Sequence, residues 1–129
     1  MIRPNHRRRF LATRTFAEAA VDIVAAHFGV TAQAIRGPRR CRAISRTRAV
    51  AAYVLRNATP FSYPEIGVML GGKDHSAVMS MCRRIEMALE VDSVLRWDLL
   101  QIAQLLAERK QIRLSSDTGV DPAKLLSPT

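Results

Sequence analysis

Acidic residues are missing from a long stretch of this chain. Between Ile23 and Pro64 there is not one aspartate or glutamate, while Arg36, Arg39, Arg40, Arg42, Arg46, Arg48 and Arg56 lie inside it. Over all 129 residues the formal net charge is +9 and the isoelectric point about 11.0. A surface of one sign repels itself unless a polyanion covers it, so an acidic partner is expected. Cysteine is scarce too. Cys41 and Cys82 are far apart and form no C-x-x-C pair, which excludes a disulfide framework and suits free thiols in a reducing cytoplasm. His6, His27 and His75 are scattered and give no metal-ligand spacing. Aromatics are few and glycines number 6, a composition that favours an all-α fold. No apolar run nears the roughly 18 residues of a membrane span. Ala17 to Phe28 is interrupted by Glu18 and Asp22, unlike the apolar core of a signal peptide. One cytoplasmic domain with tails is expected, with no membrane contact and no cofactor.

What is present centres on Ser62 to Leu89, SYPEIGVMLGGKDHSAVMSMCRRIEMAL. Ser62 and Glu65 form an S-x-x-E capping box, and Pro64 is tolerated in a first turn, so a short helix is predicted from Tyr63. Ile66, Met69 and Leu70 form its buried face. Gly71 and Gly72 can take the positive φ of a tight turn. A second helix then starts at Asp74 or Ser76, with Val78, Met81, Cys82, Ile85 and Leu89 as its apolar stripe. His75, Ser76, Met79, Ser80 and Arg83 are left facing outward. Two helices joined by a glycine turn read as a helix-turn-helix, and the second offers the donors and acceptors that base edges and phosphates require. GVMLGGKD also fits G-x-x-x-x-G-K, but Asp74 stands where a phosphate loop has Ser or Thr, and the residues before Gly67 read as helix rather than strand.

Residues 1–14, with Arg3, Arg7, Arg8, Arg9 and Arg14, read as a basic arm, either a solvated tail or a phosphate or minor-groove contact. Thr15 and Glu18 make a second capping box, predicting a helix from Phe16 to His27 or Phe28, ended by Gly29. His27 is expected at the surface near that C-terminus. Thr31 caps one short turn before Gly37 and Pro38. A longer helix is predicted from about Arg40 to Ala58, packing through Ile44, Ala51, Val54, Leu55 and Ala58. Its arginines lack nearby acids for i,i+4 pairing, which points Arg39, Arg42, Arg46 and Arg56, with Arg83 beyond, toward phosphates. A last helix is predicted from Asp92 or Ser93 to Lys110, and 111–129 reads as a flexible tail. Its stripe is Leu95, Leu99, Ile102 and Leu106. Val94, Trp97, Leu100 and Leu105 widen the apolar surface, either to close the core or to self-associate or meet a partner through residues 93–110.

The run from Arg39 to Glu86, RRCRAISRTRAVAAYVLRNATPFSYPEIGVMLGGKDHSAVMSMCRRIE, resembles the C-terminal DNA-binding domain of the bacterial replication initiator DnaA. The likeness rests on GGKDHSAV and SYPEIG and extends over Phe16 to Leu89. It implies an all-α, Trp-repressor-like helix-turn-helix domain over 15–110 with an added C-terminal helix, standing alone without the initiator's ATPase core. It also implies monomeric binding to short DnaA boxes in double-stranded DNA. By the same resemblance Arg40 is the minor-groove arginine and Arg48 a backbone contact. Tyr63 and Pro64 meet thymine methyls, and Asp74, His75 and Ser76 contact bases and phosphates, with Lys73 nearby. Three positions depart from the family pattern. Lys73 replaces an arginine and loses its planar fork, Ala77 replaces a threonine, and Ala49 replaces a polar residue after Arg48.

Three functions follow as expectations. The first is a sequence-specific reader of DnaA-box-like sites that regulates replication initiation or transcription on the nucleoid. The second is an interaction module that binds a protein that normally recognises the initiator, and so modulates the initiator or that regulatory partner without needing boxes. The third is an enzyme, for which Asp74 beside His75 is the only acid-imidazole pair, with no nucleophile or ligand set to complete it.

Overall fold

The computed structural model describes the backbone of residues 4–118 and the side chains of residues 13–109, and these form helices with no strand. In chain order they are α1 Pro4–Phe28, α2 Ala32–Arg36, α3 Arg42–Ala58, α4 Tyr63–Met69, α5 His75–Val91 and α6 Ser93–Thr118. The all-α expectation holds over these residues. α3 lies at the centre, packed between α1 and α5, with α4 against α5 and α6 against α1 and α5. Its inner face carries Ala49, Val50, Ala51, Ala52 and Leu55, none more than 1% exposed. Small side chains let the neighbouring helices approach closely, and larger ones on those neighbours, Val21, Val24, Val78 and Leu95, fill the core. Ala58 is exposed rather than packed, because α3 ends there and the chain turns away through Thr59.

Short-range sequence signals set most boundaries. Thr31 Oγ1 accepts from the Ala34 N–H at 3.0 Å and opens α2. Gly29, at φ +71°, ends α1. Asp92 separates α5 from α6, its Oδ1 accepting from the Leu95 N–H at 3.0 Å.

Two boundaries differ from the sequence expectation. α1 begins at Pro4, so the backbone of the basic segment from residue 4 onward is helical and continuous with the core helix. Thr15 and Glu18 start nothing: residues 5–14 contain no glycine or further proline, and Pro4 suits a first helical position. Glu18 instead meets Arg14 one turn back, at 3.5 Å. Residues 1–3, and the side chains of Arg7, Arg8 and Arg9, lie outside the described residues. α6 likewise runs past Lys110 to Thr118, since no glycine or proline interrupts the chain before Gly119. Only residues 119–129 of the expected tail remain, and these lie outside the described residues.

α6 closes the core through Leu95, Ile102 and Leu106. His27 contributes to this closure and is not a surface residue: its Nε2 lies 2.8 Å from Asp98 Oδ1, with both side chains about 15% exposed. The ring meets Phe28 edge-on at 5.0 Å, so one polar contact between α1 and α6 sits among apolar groups.

Candidate nucleic-acid interface

The helix-turn-helix is built by local chemistry. The Ser62 N–H donates to Glu65 Oε1 at 3.0 Å and the Glu65 N–H donates to Ser62 Oγ at 3.3 Å, the reciprocal pair of a capping box. The Ser62 N–H, and after it the Ser62 hydroxyl donating to the same Oε1 at 2.8 Å, hold the Glu65 carboxyl below its ordinary value. Tyr63 and Pro64 occupy the first turn of α4. At its far end the Gly67 carbonyl accepts from the N–H groups of both Gly72 and Lys73 at 2.9 Å, closing the turn. Gly71 and Gly72 have φ of +86° and +88°. Asp74 then caps α5, its Oδ2 accepting from the Ser76 N–H at 3.2 Å while Oδ1 stands 3.6 Å from His75 Nδ1. Asp74, His75 and Ser76 are all exposed.

Beside this turn runs the loop from Gly37 to Cys41 that carries Arg39 and Arg40, and two cations hold it. Arg48, buried with 5% exposure, donates through Nε to the Ile35 carbonyl at 2.6 Å. Its Nη2 reaches the carbonyls of Gly37 and Arg39 at 2.9 Å and of Ala34 at 3.2 Å. From the other side Lys73 Nζ donates to the Gly37 carbonyl at 2.9 Å. Between the loop, α3 and the outward face of α5 lies an open cleft of about 680 Å³, bordered by Arg40, Arg48, Lys73, Arg84, Ser45 and Ser80. Burial first, and then the neighbouring charge of Arg40, lowers the Arg48 pKa. Lys73 is lowered by burial and then by Arg48. Like charges crowded at low solvation favour an anion between them. A second cleft of about 380 Å³ shares Ser45 and Arg84 with the first and continues to Arg42 and Arg46.

Residues 17–85 match the family model described as the bacterial DnaA protein helix-turn-helix. The chain belongs to this DnaA helix-turn-helix family. It is 39% identical over 100 residues to the chromosomal replication initiator protein DnaA of Chloroflexus aggregans, covering 78% of this chain and 20% of that protein. It is 42% identical over 83 residues to the DnaA of Cereibacter sphaeroides, covering 64% and 18%. The DnaA of Rhizobium meliloti is 36% identical over 86 residues, covering 67% and 18%. The chain thus spans about a fifth of the length of these relatives.

Within this DnaA-type domain, the residues expected from sequence divide into groups. Arg40, Arg48, Lys73 and Ala77 border one cleft, and Asp74, His75 and Ser76 precede Ala77 on the cap and first turn of α5. Arg48 is buried, unlike the exposed Arg39 and Arg40: its Nε and Nη2 donate to four backbone carbonyls, placing it beneath the loop. Arg46 has an acidic partner after all, Asp92 Oδ2 at 3.0 Å, supplied from the α5–α6 junction. Arg56 stacks over the Tyr63 ring at 4.2 Å, joining the end of α3 to the start of α4. Arg39, Arg42 and Arg83 are exposed. Ala49 is fully buried and packs in the core. Sequence reasoning chose Arg83 and missed Arg84, which borders both clefts. The signal was available, since Ala77, Ser80 and Arg84 recur at spacings of three and four on one helix face.

Proposed function

We propose that the protein binds double-stranded DNA carrying DnaA-box-like sequences and so regulates replication initiation or transcription. The observation that carries this reading is the open cleft beside the first turn of α5, bordered by Arg40, Arg48, Lys73 and Arg84 with no acidic side chain lining it. Phosphates neutralise such a surface and release counterions, giving salt-dependent affinity. The exposed Asp74, His75 and Ser76 enter the major groove, where each good base contact discriminates by about 1–3 kcal/mol. Arg40 on its loop reaches the minor groove, and Tyr63 and Pro64 meet thymine methyls. Arg39, Arg42, Arg83 and Arg84 add phosphate contacts, and the protein is carried on the nucleoid through this binding. Docking of this kind calls for no catalytic group and no cofactor. Family membership, and the likeness to the replication initiators of Chloroflexus aggregans and Cereibacter sphaeroides, support the choice of sites.

The test is fluorescence anisotropy with a duplex holding one DnaA box and with a scrambled duplex, across salt concentrations. Preference for the box of about a thousandfold, with a salt slope reporting several phosphates, is expected. Equal, steeply salt-dependent binding to both overturns box recognition.

A second reading, an interaction module for a DnaA-related regulatory protein, is favoured by one observation. An apolar groove of about 520 Å³ lies between α3, α5 and α6, and Val94, Trp97, Leu100 and Leu105 stand exposed on α6. Ile102, which also lines this groove, is buried and belongs to the core. Function lost in a Leu100→Ser, Leu105→Ser variant with unchanged DNA affinity would favour this reading.

A further inference from the structure

Resting on the DNA-binding reading, we propose that Lys73 is a positioning residue that fastens the loop carrying Arg39 and Arg40 to the recognition helix, so that the two grooves are read as one event.

The turn and the loop come from distant parts of the chain, yet they meet at several points. Lys73 Nζ lies 2.9 Å from the Gly37 carbonyl and 3.4 Å from that of Arg36. Arg36 Nε returns the contact to the Met69 carbonyl at 3.4 Å, at the end of α4. Gly71 is where the two backbones touch: a Cβ there would fall 1.9 Å from the Arg36 carbonyl oxygen. Arg48 supports the same segment from α3, sharing the Gly37 carbonyl and taking those of Ile35 and Arg39. The ammonium of Lys73 therefore has backbone partners within its own protein and is only partly exposed. It is less exposed than Arg39 and Arg40 on the loop that it holds.

This geometry makes Lys73 the side chain that ties Asp74, the cap of the recognition helix and its immediate neighbour, to Gly37, three residues before Arg40. Displacing the loop costs the minor-groove contact even though Arg40 is unchanged, because small misplacement forfeits a directional hydrogen bond.

The test uses the full chain with Lys73→Met, Lys73→Arg, Arg40→Ala and the Lys73→Met, Arg40→Ala double variant. In free protein, 15N relaxation should show Arg39, Arg40 and Cys41 becoming more mobile in Lys73→Met and restored in Lys73→Arg. On the one-box duplex, losses from independent sites multiply. The double variant is expected to bind within about twofold of Arg40→Ala alone. Unchanged loop mobility or multiplying losses overturns the proposal. If wild-type protein binds no duplex, the DNA reading fails, while the relaxation measurement still decides whether Lys73 holds the loop.

Discussion

Arg46 Nη2 lies 3.0 Å from Asp92 Oδ2, joining the first turns of α3 to the junction between α5 and α6. This contact ends the basic surface. Asp92 also caps α6 through Oδ1, and asparagine keeps an oxygen for that role. Asp92→Asn therefore removes a negative charge while preserving the cap. DNA affinity should rise by roughly two- to fivefold at low salt, fading as screening increases. Anisotropy at two ionic strengths measures it, and unchanged affinity at low salt would place Arg46 outside the DNA footprint.

Arg48 illustrates the opposite use of a guanidinium. Its donors satisfy the carbonyls of Ala34, Ile35, Gly37 and Arg39, and its side chain is buried. Arg48→Met removes the donor from the buried Ile35 carbonyl and from that of Arg39, while Gly37 keeps Lys73 and Ala34 keeps the Gly37 N–H, which costs about 1–3 kcal/mol. Lysine has a point charge in place of the fork and cannot reach the same set. Urea denaturation should therefore show both variants destabilised, Met more than Lys. A stability equal to wild type would mean that the loop satisfies its carbonyls elsewhere.

Much of the candidate site was legible because its signals are local. The Ser62–Glu65 box, the paired glycines and the Asp74 cap each act within a few residues, and the structure places each as read. What could not be read depends on distance in sequence. Arg40 and Arg48 look alike in a string of arginines, yet one is exposed and the other buried, a difference set by how α2 and its loop fold over α3. His27 finds Asp98 at a separation of 71 residues, and Arg46 finds Asp92 at 46. The start of α1 was misread for a related reason: a capping pair marks a helix start only when the preceding residues break the helix, and those before Thr15 do not.

The two turn glycines separate conformation from contact. Both need positive φ, so alanine at either is strained. At Gly72 nothing lies within 4 Å of a new Cβ, leaving the backbone cost of about 1–2 kcal/mol. At Gly71 the Cβ also meets the Arg36 carbonyl at 1.9 Å and must push the loop away. Gly71→Ala should accordingly lower stability more than Gly72→Ala and alone perturb the amide shifts of Arg36 to Arg40. Equal effects would mean that the turn and the loop separate freely.

Acid should act on the start of α4. The Ser62 backbone and hydroxyl hydrogen bonds lower the Glu65 pKa from its ordinary 4.5 in the folded state. Above that value Glu65 is ionised in both states and its stabilising contribution is fully present. As pH falls below it, the unfolded chain takes up the proton first, and the contribution is gone once pH passes the folded pKa. Thermal melts of wild type should therefore drop as pH falls below about 4.5, and those of Glu65→Gln should drop less over the same acid range. Parallel curves would assign the acid sensitivity to other carboxylates.

Ile102 and Leu100 stand two residues apart on α6 and should behave in opposite ways. Ile102 is 1% exposed among the core residues, and Leu100 is 67% exposed at the rim of the groove between α3, α5 and α6. Truncating Ile102 to alanine leaves a cavity and should cost about 2–5 kcal/mol, whereas Leu100→Ala should stay within about 0.5 kcal/mol. Urea denaturation checks both. With folding thus intact, Leu100→Ala can be judged on function: unchanged box affinity and unchanged regulation would leave DNA reading as the whole activity. Regulation lost at unchanged affinity would assign the α6 surface to contact with a protein partner or a second copy of the chain, since Leu100 does not line the basic cleft.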